Sequence, residues 1–226
     1  MKVIILGVVF TLFFFADGVF IGWAKDDFQY WSGYEFAKEL GSQFELFYAP
    51  EFRVRENASE VFYHEHKQGA RWKPSKYFEF GLNYLFARNK PAKGSPRWEH
   101  RGELEATPKI SFGRWNLSVR GRTELRQVQG SSGEWEWRFR LRPKIAYKLN
   151  LRRYTITPYI SDEIFYDVER DAWNQNRAVA GVVFPLGKLK WVQPSIDFYY
   201  MLQHNRSIRD DWNQNHIFGT KFTLRA

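Results

Sequence analysis

Charged and apolar residues alternate along most of this chain, and no other feature limits its possible folds as strongly. In EWEWRFRLRPKIAYKL, residues 134–149, apolar residues fill one set of alternate positions, and Glu, Arg and Lys fill most of the other set. Successive side chains of a β-strand point to opposite faces, so a period of two predicts strands with one apolar and one charged face. Spacing typical of helices is weak beyond residue 25. The chain is therefore predicted to be all-β.

Eleven segments carry this alternation, and most of them have 12 to 15 residues. Strands of soluble sheets usually have about five or six residues, whereas a tilted strand that crosses a membrane needs about 9–11. Short links alternate with longer polar links, as they do in outer-membrane barrels. The segments are residues 27–39, 43–55, 60–72, 77–88, 98–111, 115–128, 134–149, 154–167, 173–186, 191–203 and 212–225.

The direction of the apolar faces distinguishes a membrane barrel from a soluble one. Eleven large apolar faces would overfill a small barrel interior, whereas isolated Arg and Glu residues can pair across a polar lumen. Large aromatic residues crowd the strand ends, as they do in the two aromatic girdles of membrane barrels. They are Trp72, Tyr77, Trp98, Trp115, Trp135, Tyr147, Tyr154, Tyr166, Trp173, Trp191 and Trp212. We therefore predict an antiparallel transmembrane β-barrel of about 10–12 strands that follows a cleaved signal peptide.

The strand number is narrowed by a general preference of bacterial single-chain barrels for even numbers of strands. Eleven candidate segments would then include one merged, missed or incomplete strand. We expect ten or twelve strands, with residues 27–39 as the odd segment.

The N-terminus has the layout of a signal peptide. Lys2 precedes an apolar run at residues 3–16, and the small-x-small sequence at residues 22–24 suits cleavage. The run is shorter than the roughly 20 residues of a membrane-spanning helix, which leaves an uncleaved anchor as the alternative. We predict a signal peptide at residues 1–24, a barrel at residues 25–226, and a location in the outer membrane of Gram-negative bacteria.

Charge and composition restrict the partners. The formal net charge is +9 and the chain contains no Cys, which excludes disulfides and Cys-based zinc sites. A basic exported protein without a nucleic-acid-binding motif favours anionic surfaces over nucleic acid. The expected partners are outer-membrane lipid and lipopolysaccharide, with small polar solutes as a further candidate. The protein is expected to be a monomer without a cofactor.

A set of charged residues is predicted to face the lumen from neighbouring strands. They could line a channel or a binding cavity, or their long side chains could plug a barrel of this size through ion pairs. The plug is favoured, so at most a narrow passive pore is expected. The residues are Glu103, Glu105, Arg120, Arg122, Glu124, Arg126, Arg138, Arg140, Arg142 and Glu163.

The sequence RDxWNQN occurs twice, at residues 170–176 and 209–215. The spacing places both copies at the start of strands that run in the same direction, after links of the longer type. The favoured interpretation is a pair of junctions at the extracellular rim, each with a girdle Trp. The alternatives are a polar and aromatic platform for a sugar-like ligand and a calcium site in the loops. The candidate binding residues are Arg170, Asp171, Trp173, Asn174, Asn176, Arg177, Arg209, Asp210, Trp212, Asn213, Asn215 and His216.

No residue pattern predicts catalysis or metal binding. His64 and His66 share one strand face without a third ligand, and a lumenal or loop-facing pair is favoured over a metal site. None of the five histidines lies in a nucleophile motif. We expect a protein that is not an enzyme, with a structural or ligand-binding role. The alternatives are a lipid- or lipopolysaccharide-modifying enzyme, which would need His204, Ser207 and Asp210 to converge, and a soluble periplasmic barrel with its apolar face inside.

The chain resembles a bacterial family, domain of unknown function 2490, in the stretches DFQYWSGYEFAKELGSQFELFYAPEFRVRE and VFYHEHKQGARWKPSKYFEFGLNYLF. The positions that carry the resemblance are Trp31, Leu40, Phe44, Glu51 and Arg53, followed near the end by Asn215, His216 and Gly219. The resemblance implies an outer-membrane β-barrel with a signal peptide and implies no substrate. The chain departs from such barrels at its end, KFTLRA, where a terminal aromatic residue is usual and Phe222 lies four residues earlier.

Overall fold

The computed structural model describes residues 27–56, 59–91, 94–130, 135–152, 154–187, 189–206 and 211–226. The predicted signal peptide, residues 1–24, lies outside the described residues. The strands are β1 (Asp27–Leu40), β2 (Phe44–Arg55), β3 (Glu60–Ser75), β4 (Phe78–Asn89), β5 (Arg97–Phe112), β6 (Trp115–Val128), β7 (Glu136–Tyr147), β8 (Leu149–Leu151), β9 (Tyr154–Asp167), β10 (Ala172–Pro185), β11 (Gln193–Arg206) and β12 (Trp212–Arg225). No helix in the described ranges is long and apolar enough to cross a membrane.

The strands close into a barrel with eleven positions, which confirms the all-β barrel prediction. β7 and β8 share one position, because both pair with β9 in a single register on either side of Lys148. The strands within the wall pair antiparallel with their neighbours, and β1 pairs parallel with β12. We call the barrel end with the links 41–43, 76–77 and 113–114 the tight-turn end, and the opposite end the loop end.

The expectation of ten or twelve strands was wrong. β1, which covers the predicted odd segment 27–39, is a full member of the wall and pairs with both β2 and β12. In a wall built from hairpins, the chain reverses direction at every strand. An odd number of strands therefore makes the first and last strands run in the same direction, so the closed barrel is mixed rather than purely antiparallel.

The parallel seam between β1 and β12 is held by backbone and charged groups. The amide of Ala226 donates to the carbonyl of Ala37 at 2.9 Å, and the carbonyl of Ala226 accepts from the amide of Glu39 at 2.8 Å. Further along the seam, Lys221 Nζ lies 2.8 Å from a carboxylate oxygen of Glu35. These contacts attach the end of the chain to its first strand.

The barrel wall has an apolar outer face and a polar inner face. At outward positions, Leu82 and Leu104 are 64% and 62% exposed, although they lie well inside their strands. At inward positions, the carboxylates of Glu45, Glu103 and Glu124 have a relative side-chain exposure of 0%. A soluble barrel would require its apolar face inside, and the described strands have the opposite polarity.

A small apolar cluster lies within the otherwise polar interior. Trp31, Met201 and Ile217 form a buried cluster, and Tyr199 packs against it. The ring of Tyr199 also lies across Gly219 on the paired strand, where a Cβ atom would be 2.0 Å from the ring. An aromatic ring over a cross-strand glycine fills space directly against the wall. Gly219, one of the positions that carry the family resemblance, thus has a packing role here.

Candidate functional site

Glu124 on β6 forms ion pairs with several of the arginines inside the barrel. Its carboxylate lies 2.5 Å from Arg138 and 2.6 Å from Arg140, both on β7. Arg122 and Arg101 are further away, at 3.4 and 3.6 Å. A carboxylate removed from water is tolerated only when opposite charges and hydrogen bonds replace its hydration. Glu124 meets this condition, because arginines on β5, β6 and β7 surround its carboxylate.

Glu103 on β5 extends the same network towards β3. Lys67 Nζ lies 2.7 Å from its carboxylate, and Arg122 and Arg101 lie 3.3 and 3.4 Å away. Glu103 and Glu124 therefore share two arginines, which joins β3, β5, β6 and β7 on their inner faces. This network acts across the strands in addition to the backbone hydrogen bonds of the wall.

Glu163 on β9 closes the network on its other side. Its carboxylate accepts hydrogen bonds from Arg120 at 2.6 Å and from Arg140 at 2.8 Å. Arg122 also lies 2.5 Å from Glu105. We call the set formed by Lys67, Glu103, Glu105, Arg101, Arg120, Arg122, Glu124, Arg138, Arg140 and Glu163 the central network.

A second network lies near the tight-turn end. Glu45 pairs with Arg71, with Lys73 at 2.8 Å and with Arg225 at 3.1 Å. Arg71 also lies 3.0 Å from Glu35. These contacts link β1, β2, β3 and β12, so charged side chains reinforce both sides of the parallel seam.

Aromatic rings hold further arginines inside the barrel. The guanidinium of Arg53 lies between Trp31 and Tyr63, at 3.8 and 4.0 Å from the ring centroids. The guanidinium of Arg140 lies 4.4 Å from the centroid of Phe165. Guanidinium groups stack on aromatic faces and are less strongly hydrated than ammonium groups, which suits an enclosed position.

The space that remains inside the barrel is a cavity of about 520 Å³. Thirteen Lys and Arg residues and seven Asp and Glu residues line it, so cations outnumber carboxylates at its surface. Glu103 and Glu124 are not among the lining residues, and their carboxylates are inaccessible. The lining cations are Arg53, Lys67, Arg71, Arg101, Arg120, Arg122, Arg126, Arg138, Arg140, Arg142, Lys144, Arg177 and Lys221.

Three of the lining cations have no carboxylate within 4.0 Å among the described residues. They are Arg142, Lys144 and Arg177, whereas the other ten have such a partner. Arg177 donates to Gln203 at 2.8 Å, and Lys144 Nζ lies 3.5 Å from the ring centroid of Tyr159. The buried Nε of Arg142 has no hydrogen-bond partner. The sequence could not identify this difference, because it depends on which charges meet across the wall.

The structure places the residues predicted for the lumen on the inner face of β5, β6, β7 and β9. Glu103, Glu105, Arg120, Arg122, Glu124, Arg138, Arg140 and Glu163 belong to the central network. Arg126 pairs with Glu99 at 2.7 Å nearer the loop end. Arg142 also lines the cavity, although it has no ion pair in the described structure.

The first copy of RDxWNQN lies at the loop end and contributes to both faces of the wall. Arg170 and Asp171 occupy the turn before β10, and Asp171 accepts a hydrogen bond from Tyr166. Trp173 is exposed on the outer face, Asn174 donates to Asp167 at 3.1 Å, and Asn176 donates to Asp162 at 2.8 Å. Arg177 faces the cavity rather than the rim.

The second copy starts β12, which runs in the same direction as β10 with β11 between them. Arg209 and Asp210 lie outside the described residues. Trp212 is exposed on the outer face, Asn213 and Asn215 pair in register with Asn205 and Gln203, and His216 faces outward.

The two copies are not equivalent in the fold. A β-bulge between Trp173 and Gln175 shifts the first copy by one residue, so Gln175 lines the cavity. Gln214, its counterpart, faces outward and contacts His204 and His216. The repeat therefore does not present the same side chains on one surface.

All five histidines face outward, towards the loop end of the wall. His66, His100 and His216 each contact a Tyr hydroxyl on the neighbouring strand, at 2.6, 2.6 and 2.5 Å. His64 shares the outer face with His66, so the interpretation as a lumenal or loop-facing pair was wrong. Within the described ranges, no group of three or more His, Asp or Glu could hold a metal ion.

A lipid-modifying enzyme would need His204, Ser207 and Asp210 to lie close together. His204 lies 3.2 Å from Gln214 on the outer face. Ser207 and Asp210 lie outside the described residues. The candidate triad is therefore represented in the described structure by one residue, whose imidazole already contacts an amide.

The fold and its interior define a closed β-barrel with an apolar exterior and a charged lumen. The chain belongs to the family DUF2490, described as a protein of unknown function, whose model matches residues 28–214. This match extends from β1 to the start of β12 and confirms the family resemblance found in the sequence. None of the curated proteins matches the chain.

Proposed function

We propose that this chain is an integral β-barrel protein of the outer membrane of Gram-negative bacteria. Residues 1–24 are removed on export, and residues 25–226 form the mature protein. The barrel acts as a structural or ligand-binding protein and not as an enzyme, and its lumen holds a small polar solute with at most narrow passive conduction. The observation that carries this proposal is the inverted polarity of the wall, with apolar side chains outside and ion pairs inside.

The outer surface is too apolar for a barrel surrounded by water. Thirty-six large hydrophobic residues are exposed on the described chain. Contiguous apolar patches on soluble monomers rarely exceed a few hundred Å², and each Å² of apolar surface left in water costs about 25 cal/mol. Hydrocarbon removes this cost, so a bilayer is the environment that the outer face fits.

Aromatic residues bound the apolar band at both ends. On β7 the outward residues Trp137 and Tyr147 are ten positions apart, which corresponds to about 34 Å along the strand. At the usual strand tilt this gives a height of about 25 Å, the height of the apolar band in outer-membrane barrels. Trp72, Tyr77, Trp115, Tyr147, Tyr154 and Trp191 lie near the tight-turn end, and Trp98, Trp135, Tyr166, Trp173 and Trp212 lie near the loop end.

The interior supports binding more strongly than free conduction. The cavity of about 520 Å³ has the size of a small-molecule site, and the central network fills the lumen beside it. The eleven positions of the described wall pair around a closed ring, so no partner chain is needed to complete the sheet. We therefore propose a monomer whose partners are outer-membrane lipid, lipopolysaccharide and small polar solutes.

Expression of the full chain in a Gram-negative host tests this proposal. The protein is expected to stay in the membrane fraction after an alkaline carbonate wash, with the mass of residues 25–226. In planar bilayers, the purified barrel should show conductance far below that of an open porin. Recovery in the washed, detergent-free supernatant would contradict the membrane location, and large steady conductance would contradict the filled lumen.

A further inference from the structure

We propose that Arg120, Arg142 and Lys144 form a binding site for a phosphate-type oxyanion inside the barrel. The inference rests on the proposed function, since it names the class of solute that the lumen holds. The ligand would be inorganic phosphate or the phosphate group of a small monoester. The site lies on the inner faces of β6 and β7 and opens into the cavity.

The register of β6 and β7 brings two like charges together. Arg120 and Arg142 are direct cross-strand partners, and both face the lumen. Like charges directly opposite each other on antiparallel strands are destabilising. Arg120 is compensated by Glu163 at 2.6 Å, whereas Arg142 has no carboxylate within 4.0 Å in the described part of the chain. An anion bound between the two guanidinium groups would remove the repulsion.

Lys144 adds a third cation two positions along β7. Its register partner on β9 is Ser161, a buried residue that also lines the cavity. The nearby carboxylate of Asp197 accepts a hydrogen bond from Tyr159 at 2.8 Å and forms no ion pair with Lys144 within 4.0 Å. Arg120 also lies 3.8 Å from Glu105, so Arg142 and Lys144 are the two cations of the site without a carboxylate within 4.0 Å in the described structure.

The donor groups have the chemistry of oxyanion recognition. The buried Nε atoms of Arg120 and Arg142 have no hydrogen-bond partner among the described residues, and both residues line the cavity. Buried donors are usually paired, so these Nε atoms can donate to an acceptor bound in the cavity. A guanidinium donates two parallel hydrogen bonds to phosphate or carboxylate oxygens. Two such groups and an ammonium suit the several oxygens and the double charge of phosphate better than a single carboxylate.

Isothermal titration of the full barrel in detergent, in a low-chloride buffer, tests the site with inorganic phosphate as the probe. One phosphate per barrel is expected to bind, and Arg142→Gln and Lys144→Gln should each weaken binding at least tenfold. Arg142→Lys keeps the charge but not the guanidinium, so it should bind with intermediate affinity. Glycerol 3-phosphate, titrated in parallel, distinguishes the two ligand sources, because tighter binding of it would identify a monoester.

Arg126→Gln is the matched control, because Arg126 lines the same cavity but is paired with Glu99 at 2.7 Å. It removes the same charge and should change phosphate binding less than threefold. Absence of binding to the unaltered barrel, or equal weakening by Arg126→Gln and Arg142→Gln, would overturn the site. The titration is done in detergent, so a negative result would not bear on the membrane location. The carbonate wash tests the membrane location separately.

Discussion

Leu104→Arg is expected to lower the stability of the barrel in a bilayer by about 2–4 kcal/mol, the cost of an Arg on the lipid face at the bilayer midplane. Leu104 is 62% exposed and lies near the middle of β5. In hydrocarbon, an Arg at this position has no water to hydrate its charge. Urea titration of the protein folded into phospholipid vesicles measures the change in the free energy of unfolding.

Val61→Arg is the matched control for this substitution. Val61 is 58% exposed and is the second residue of β3, at the loop end. An Arg near the membrane–water interface costs about 0–1 kcal/mol. Equal effects of the two substitutions, or no effect of Leu104→Arg, would be incompatible with a bilayer around the middle of the wall.

Glu124→Gln is expected to destabilise the folded barrel by about 3–5 kcal/mol, the usual effect of removing one partner from a buried ion pair. The carboxylate of Glu124 is inaccessible and lies within 2.6 Å of both Arg138 and Arg140. A neutral amide leaves these guanidinium groups in the lumen without full compensation. Guanidinium-induced unfolding of the detergent-folded barrel gives the difference in free energy.

Glu79→Gln removes a carboxylate of the same type from a partly exposed ion pair, with Lys109 at 2.9 Å. Exposed pairs contribute about 0–1 kcal/mol, so this variant should stay close to the unaltered protein. If Glu124→Gln were no more destabilising than Glu79→Gln, the central network would not stabilise the barrel.

The sequence predicted the wall of the barrel well because the signal is local. In residues 134–149, alternation determines both the presence of a strand and the division of its residues between two faces. The predicted strand number was wrong for a different reason. The alternation in residues 27–39 predicts an eleventh strand, but the preference of bacterial single-chain barrels for even strand numbers argues against it. The parallel pairing of β1 with β12 then follows from the odd number.

The details of the candidate site depend on contacts between distant segments. The bulge after Trp173 reverses the facing of Gln175 relative to Gln214, although the local sequences are nearly the same. Likewise, sequence alternation places Arg120 and Arg142 on inner faces but does not show that they lie opposite each other. That register belongs to the pairing of β6 with β7, in which Arg120 and Arg142 are direct partners.

The outward position of the histidines could have been inferred from alternation alone. His66 and His100 have the same parity as the apolar residues of their strands, Trp72 and Leu104. The contacts of these histidines with Tyr48 and Tyr84 could not have been inferred from alternation, because they are diagonal contacts between paired strands. Polar pairs of this kind satisfy each other on an apolar face.

The most direct test of the inverted polarity compares two spin-labelled variants in phospholipid vesicles. The chain contains no Cys, so Ala49→Cys and Ala180→Cys each provide a single labelling position. Ala49 lines the cavity, Ala180 is exposed on the outer face, and each lies five residues from the tight-turn end of its strand. With the apolar face outside, oxygen, which concentrates in lipid, is expected to relax the label at residue 180 more strongly than the label at residue 49. A water-soluble nickel complex should not reach the label at residue 180. The reverse, with the label at residue 49 in contact with lipid and the label at residue 180 in water, would contradict a barrel with an apolar outside and a charged inside.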